Sequence, residues 1–323
     1  MAQPANIRDT YGTVGIREDL QDKVYMVSPE STPIVSQIKR LKASQKLHEW
    51  QRDALNTPNK DNAVIEGDDR SGTALQTTQR VANTTQLFDY VAVVSTTLQK
   101  SKIAGRSDEM KYQVAKRFKE LKRDMEASIL SDNTAVQGNS ATPRKSAGLG
   151  AMLYSNINVG AGGSVAAHTS GMATTAPVGG TARPFTEAML KGIMQSIYTN
   201  SGEMPSIVSM TPSHKGAFSG FTGIAGTRFQ VKKGQQAAIV GGADVYMSDF
   251  GELTVVPNYV QATANPNTVF VLNPDSLGLA YLQPFTSTPL AKTGHNEKEM
   301  VSAEACLVVE SEKDCGQIKG LTA

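Results

Sequence analysis

The sequence predicts an α+β fold. Three observations carry that reading: one long amphipathic helix in the first half, a helix–strand–helix segment in the middle, and a last third made of short strand-like runs.

The long helix is expected from Ser107 to about Ser131. Ser107 is placed to cap it, because its hydroxyl can accept from the free N–H groups of the first turn. Asp108 and Glu109 then put negative charge at the positive end of the helix dipole. Met110, Val114, Phe118, Leu121, Met125 and Ile129 recur at spacings of three and four and form one apolar stripe. Lys116, Arg117, Lys119, Glu120, Lys122, Arg123 and Glu126 cover the other sides.

Ahead of the helix, Met1 to Ile34 is polar and broken by proline and glycine, which reads as an extended arm with at most a short helix near Arg17–Val27. Ile34–Ile38 is a short amphipathic stretch. Lys46 to Arg52 alternates as a strand does, with His48, Trp50 and Arg52 on one face. A second strand is expected within Arg80–Leu98, around the β-branched Val91–Val94. Between the two lies a polar excursion of about 25 residues, Ala54 to Gln79, too long for an ordinary hairpin turn. It carries the acidic cluster Glu66, Asp68, Asp69, followed by Arg70. Its composition fits either a surface loop or a protruding hairpin that reaches a neighbouring subunit.

Beyond Asn133 the texture changes. Thr134 to Gly180 is glycine-rich and aperiodic, with Leu149–Tyr154 as a short strand candidate. A helix is expected from Thr186, with Phe185 and Leu190 as a hydrophobic staple and Asn200-Ser-Gly202 as its stop. Strand Ser206–Met210 and a short helix opened by Thr211-Pro212 complete a small α/β unit, with His214 expected at the surface. In the last third, Val245–Ser248 and Leu253–Val256 flank Asp249-Phe-Gly251 as a hairpin. Thr268–Leu272, Leu277–Leu282 and Ala303–Val309 are further strands, with Asn273-Pro-Asp275 as a turn.

Length and composition limit the function. A chain of 323 residues with 39% hydrophobic content buries a real core in one or two units. A net charge of +2 argues against a dedicated nucleic-acid reader. Cys306 and Cys315 are too few for a disulfide framework and read as reduced, partly buried thiols. The N-terminus lacks the apolar core of a signal peptide, and no apolar run is long enough to span a membrane. No phosphate loop, dinucleotide fingerprint, HExxH pair or nucleophile elbow occurs. Gly241-Gly242 reads as a turn, and His48, His168, His214 and His295 are scattered. No catalytic residue, cofactor or metal site is therefore expected. The Glu66–Asp69 cluster reads as a solvated or salt-bridging tip, since it lacks the EF-hand pattern.

Several of these segments resemble one family in the same order. His48-Glu-Trp50-Gln, Asn62-Ala-Val-Ile-Glu66-Gly-Asp-Asp69, Gly105-Arg106 and Lys119-Glu-Leu-Lys-Arg-Asp-Met-Glu126 come first. Ala147-Gly-Leu-Gly150, Ser248-Asp-Phe-Gly251, Asn273-Pro-Asp275 and Pro289-Leu-Ala-Lys-Thr-Gly294 follow. Together they resemble the major head proteins of tailed bacteriophages. The resemblance implies the Hong Kong 97-type capsid fold, divided into an N-terminal arm (1–45), an extended loop hairpin (46–98), a peripheral domain with a spine helix (99–133), an axial domain (134–243) and the peripheral β-sheet with the C-terminus (244–323). It further implies hexamers and pentamers of this chain, closed into an icosahedral or prolate head around double-stranded DNA. Portal and decoration proteins are partners of that setting, with assembly in the bacterial cytoplasm and residence in the virion. The glycine-rich stretch 158–180 matches no pattern of that family, and the short arm suggests a separate scaffolding protein. Inter-subunit contacts are expected at Trp50, Glu66, Asp68, Asp69, Arg70, Lys119, Lys122 and Arg123, the loop acids pairing with the spine cations of a neighbour. Two alternatives stay open: an encapsulin-like compartment of the same fold with protein cargo, and an α/β enzyme with an unrecognised site.

Overall fold

The computed structural model describes residues 31–69, 72, 75–221, 244–248 and 251–322. The expected arm with its Arg17–Val27 helix, Arg70 and the Gly241-Gly242 turn lie outside the described residues.

In chain order the elements are helix α1 (Pro33–Gln37), strands β1 (Lys39–Lys42), β2 (Leu47–Arg52), β3 (Gln79–Thr84) and β4 (Gln86–Ser95), then helices α2 (Thr96–Lys100), α3 (Glu109–Leu130) and α4 (Leu149–Met152). Strands β5 (Ile157–Asn158), β6 (Ala167–Thr169) and β7 (Met172–Thr175) follow, with helix α5 (Glu187–Ser201), strand β8 (Ile207–Met210) and helix α6 (Pro212–Ser219). The last elements are β9 (Val245–Ser248), β10 (Gly251–Pro257), helix α7 (Gln261–Ala264), β11 (Thr268–Leu272), β12 (Leu277–Leu290), β13 (Asn296–Val309) and β14 (Gly316–Lys319).

The spine α3 starts one residue later than Ser107 implies. Asp108 is the cap: its carboxylate accepts the Lys111 N–H at 3.1 Å and the Gln99 side-chain amide at 2.8 Å. Those donors, Gln99 first, hold the Asp108 carboxyl below its ordinary value. Gln99 in turn accepts the Met110 N–H at 3.1 Å, so α2 caps α3 as well. The expected stripe faces inward: Met110, Leu121, Met125 and Ile129 are buried, while Val114 and Phe118 are partly so. It packs on a four-stranded sheet of order β1-β12-β13-β4, in which only β1 runs parallel to its neighbour. Alternate residues of β4, Phe88, Tyr90, Ala92 and Val94, turn toward the spine side.

A second sheet has the order β5-β14-β11-β8-β10-β9. Its central strands are covered on both faces, which is why β8 and β11 are apolar almost throughout. Val208, Met210, Val269 and Val271 join a core with Leu190, Met194 and Ile197 of α5 and Phe218 of α6. Ile207, Phe270 and Leu272 point the other way, into the core built on the spine. This sheet takes strands from both sides of residue 243, so the expected division there runs through it.

Three expectations are corrected. Leu149–Tyr154 is not a strand: Leu149–Met152 form helix α4, wholly buried. A short run that is apolar on every side has no period to read, and the packing of Gly148 and Gly150 on the end of the spine decides its shape. His214 is buried, not exposed. Its Nδ1 lies 2.8 Å from the Thr211 hydroxyl and its Nε2 lies 3.1 Å from the Thr322 carbonyl. The C-terminus covers this first helical turn, and burial lowers the imidazole pKa. Finally, β12 and β13 are 14 residues each and pair along their length, far beyond the expected runs, because their outer halves are polar.

Candidate inter-subunit loop and its anchorage

Strands β2 and β3 form a separate two-stranded ribbon, paired from Leu47–Thr84 to Arg52–Gln79. An isolated ribbon of this size is marginal by itself, so its root must be held by the rest of the chain. Trp50 provides one hold, its indole N–H donating to the Val309 carbonyl at 3.0 Å. Arg52 provides another, donating to the Val309 carbonyl at 2.6 Å and the Glu310 carbonyl at 3.0 Å. Behind the ribbon, Asn83 is fully buried. Its amide donates to the Leu307 carbonyl at 2.7 Å and its oxygen accepts the Ala147 N–H at 2.9 Å. On the same side, the buried Glu304 carboxylate accepts from Arg144 and from the Thr85 hydroxyl, both at 2.6 Å.

Past Arg52 the chain leaves this framework. Leu55, Ile65 and Leu75 are 97%, 80% and 92% exposed. Three large aliphatic side chains on this one segment are thus left open to solvent within the chain. Glu66, Asp68 and Asp69 are exposed at a turn centred on Gly67, where φ is +85° and the Asp68 N–H donates to Ile65. The expected contact residues thus fall into three places. Trp50 is tied within its own chain at the root. The acids sit at the tip. Lys119, Lys122 and Arg123 lie on the outward side of the spine, with Lys119 and Lys122 exposed and Arg123 over the Tyr259 ring at 5.5 Å. Sequence reasoning missed Arg52, Asn83 and Glu304, whose partners lie more than 200 residues away in the chain for Arg52, 64 and 224 for Asn83, and 160 or more for Glu304. Only Glu304, set in the apolar inner half of β13, left a visible signal; Arg52 and Asn83 sit in strands that are largely polar.

A cleft of about 550 Å³ opens beside the root, lined by Arg52, Asp53, Gln76, Tyr154, Glu312 and Lys313 among others. Among the described residues no group of three or more His, Cys, Asp or Glu side chains is placed to hold a metal ion. Among them, too, no helix is long and apolar enough to cross a membrane.

Comparison with known proteins places this architecture. The chain is 28% identical over 240 residues to the major capsid protein of Escherichia phage Phieco32, an alignment spanning 65% of this chain and 68% of the relative. In three dimensions it resembles a chain of the cyanophage A-1(L) capsid asymmetric unit, with TM-score 0.65 at 13% identity over 95% of this chain and 98% of that one. A Gordonia phage Cozz chain superposes with TM-score 0.61 at 11% identity, covering 99% and 97%. The holo-SrpI encapsulin of Synechococcus elongatus shares the fold with TM-score 0.57 at 10% identity, covering 98% and 96%. The SU10 major capsid protein family matches residues 5–322. With a match over nearly its whole length and a spine, sheets and projecting loop of the Hong Kong 97 type, the chain belongs to the SU10 major capsid protein family and is a phage major capsid protein.

Proposed function

We propose that this virion protein builds hexamers and pentamers that close an icosahedral or prolate head around double-stranded DNA, and that residues 53–78 lap onto a second copy. The observation that carries the proposal is a loop with exposed Leu55, Ile65 and Leu75 projecting from a root anchored by Trp50 and Arg52. A closed shell asks one chain to fill many near-equivalent positions. A projecting segment buries its surface on a neighbour without demanding one rigid interface, and several such contacts per subunit act together.

In this reading the spine with the four-stranded sheet is the peripheral domain, the unit around α5, α6 and β8 is the axial domain, and the residues ahead of α1 are the arm. The acids Glu66, Asp68 and Asp69 pair with Lys119, Lys122 and Arg123 of the neighbour, and Arg70 belongs to the same contact. DNA is enclosed without sequence-specific binding. Assembly takes place in the host cytoplasm with a scaffolding protein and a portal, and a decoration protein is a further partner.

The test is electron microscopy and size-exclusion chromatography of the chain expressed alone and with its scaffold. Closed particles or rings of five or six subunits are expected. Reversing Glu66, Asp68 and Asp69 to lysine should block or deform them, and reversing Lys119, Lys122 and Arg123 to glutamate in the same chain should restore them. Normal shells from the triple acid variant would remove the tip pairing. A monomer that persists with scaffold and crowding agents would remove the shell reading. Particles that carry protein and never DNA would replace the genome with cargo.

A further inference from the structure

The glycine-rich stretch has a definite place in the fold. Strands β6 and β7 form a short hairpin whose turn residues are Ser170, with φ +51°, and Gly171, with φ +79°. The turn presses against the root of the projecting loop. The Ala82 N–H of β3 donates to the Gly171 carbonyl at 3.0 Å. The fit leaves no room for a side chain, since a Cβ on Gly171 would overlap the Arg80 carbonyl oxygen. The hairpin is itself fixed from behind. Ala173 is fully buried in the spine core, and its carbonyl accepts the Ala135 N–H at 2.9 Å. The His168 ring packs against Tyr154 in a tilted arrangement with centroids 4.5 Å apart, and its Nε2 meets the Ala151 carbonyl at 2.9 Å.

The ribbon root is therefore held at three places, one of them the link from Asn83 of β3 to Leu307 and Ala147 already described. The β2 strand is tied to the end of β13 through Trp50 and Arg52, and β3 is propped by the hairpin turn through Ala82. The hairpin contact braces the ribbon from an element separate from β13, on the strand that carries the chain back from the loop. The angle matters because the loop is a lever. Gly67 lies fifteen residues beyond Arg52, a reach of at most about 50 Å, so a tilt of about 10° at the root displaces the tip by as much as about 9 Å. That displacement exceeds the tolerance of any specific side-chain contact.

We infer that the hairpin Ala167–Thr175 is a strut that sets the direction of the projecting loop, and through it the curvature and size of the shell. The inference rests on the loop lapping onto a second copy, and it gives stretch 158–180 a function of its own.

The test compares Gly171→Ala with Gly162→Ala. Both glycines have positive φ, +79° and +73°, and both lie in the same stretch, but nothing stands within 4 Å of a Cβ on Gly162. The two substitutions share the backbone strain, and only the first pushes on the loop root. A third variant with two glycines inserted after Gly171 withdraws the turn from β3 without adding bulk, which covers the case of a misfolded Gly171→Ala. Hydrogen exchange on the unassembled chain reads the strut itself: exchange at the Ala82 amide should rise at least tenfold in Gly171→Ala and in the insertion variant, and stay at the wild-type rate in Gly162→Ala. Electron microscopy of assembled particles reads the consequence, a broadened or shifted diameter distribution in the first two only. Unchanged Ala82 protection in both strut variants overturns the inference at the level of the fold. Raised exchange with wild-type diameters overturns the curvature role while leaving the shell reading intact. If wild type forms no shell, it is the lapping reading that fails, and the exchange result still stands on its own.

Discussion

Glu126 on the spine accepts a 2.6 Å hydrogen bond from the side-chain amide of Asn258, and the pair joins three parts of the fold. The same fully buried carboxylate accepts the N–H groups of Ile34 at 3.0 Å and Val35 at 2.8 Å, which open α1. The spine thus caps the helix where the expected arm meets the body, and through Asn258 it grips the end of β10. Asn258 spends its own oxygen on the Val260 N–H at 2.9 Å, so the link continues into the turn that leads to α7.

Removing this carboxylate leaves two buried donors and the half-buried Val35 N–H without an acceptor, at about 1–3 kcal/mol for each buried one. Glu126→Ala is therefore expected to lower stability by about 3 kcal/mol or more, and Glu126→Gln by less, since it keeps one acceptor. Urea denaturation measures both, and limited proteolysis ahead of Pro33 should quicken in the alanine variant. The pH dependence has a definite sign. Burial raises the carboxyl above its ordinary 4.5, against the pull of the Val35, Ile34 and Asn258 donors. A folded value above the unfolded one means the group's contribution is full below 4.5 and is lost as pH rises through the folded value. The stability gap between wild type and the non-titrating Glu126→Gln should narrow as pH climbs from below 4.5. A gap that widens over that range would show the donors outweighing burial.

The pair of half-buried Arg144 and buried Glu304 predicts a larger asymmetry between its two partners. Glu304 keeps only the Thr85 hydroxyl when Arg144 is removed. Stranding a buried carboxylate costs about 3–5 kcal/mol, and the partial exposure of Arg144 places Arg144→Met near the lower end. Adding Glu304→Gln to that variant should recover part of the loss, because the uncompensated charge is gone. Urea midpoints of the two single variants and the double variant close the cycle, and additive losses would show that the two side chains do not interact.

What the sequence made legible and what it hid follow from the same physics. The spine was legible because Met110, Leu121, Met125 and Ile129 repeat at the helical period over many turns. Its start moved by one residue because Ser107 and Asp108 are both good caps, and only the position of Gln99 chooses between them. Phe185 and Leu190, the expected staple, meet in the second core, and Gly202 ends α5 in the left-handed conformation with φ +74°. The excursion Ala54 to Gln79 was legible as too polar and too long for a turn. Its anchorage was not, because Trp50 and Arg52 find their acceptors on Val309 and Glu310, at the far end of the chain. The hairpin β6–β7 was hidden for a different reason. Gly171 and Ser170 carry backbone geometry rather than hydrophobic pattern, and pattern is what sequence reading weighs.

Two glycines separate geometry from propensity. Gly150 packs on the end of the spine, where an added Cβ would overlap the Asp132 carboxylate. That carboxylate is paired with the buried Lys319 ammonium and accepts the Asn265 amide at 2.8 Å. Gly150→Ala must displace the pair, and a loss of about 2–4 kcal/mol is expected for breaking a buried network. Gly192 lies exposed in α5 with nothing within 4 Å of its Cβ position. Gly192→Ala is expected to raise stability by about 0.5–1 kcal/mol. Thermal denaturation of the two variants should move in opposite directions, and a shared sign would mean that one of the two environments is misjudged.

The two cysteines test the cores without perturbing them. Cys306 lies in the four-stranded sheet and Cys315 immediately ahead of β14 of the six-stranded one, both buried and unpaired. Burial pushes both thiols up to about 12. At pH 8 that leaves a thiolate fraction of about one in ten thousand, and the thiolate is the reactive form. Neither residue should react with an aromatic disulfide reagent in the native chain, and both should react at once in denaturant. Slow native labelling then reports opening of each sheet. Cys315 shares a core with Leu121, Leu149 and Leu272, whereas Cys306 belongs to the small cluster with Ala43, Ala280 and Val308. The smaller cluster buries less apolar surface, and local opening free energy follows the packing that must be undone. Cys306 is therefore expected to label first, a sequence of events that peptide mapping after timed exposure can read. Simultaneous labelling would mean that the two sheets open only together, as one cooperative unit.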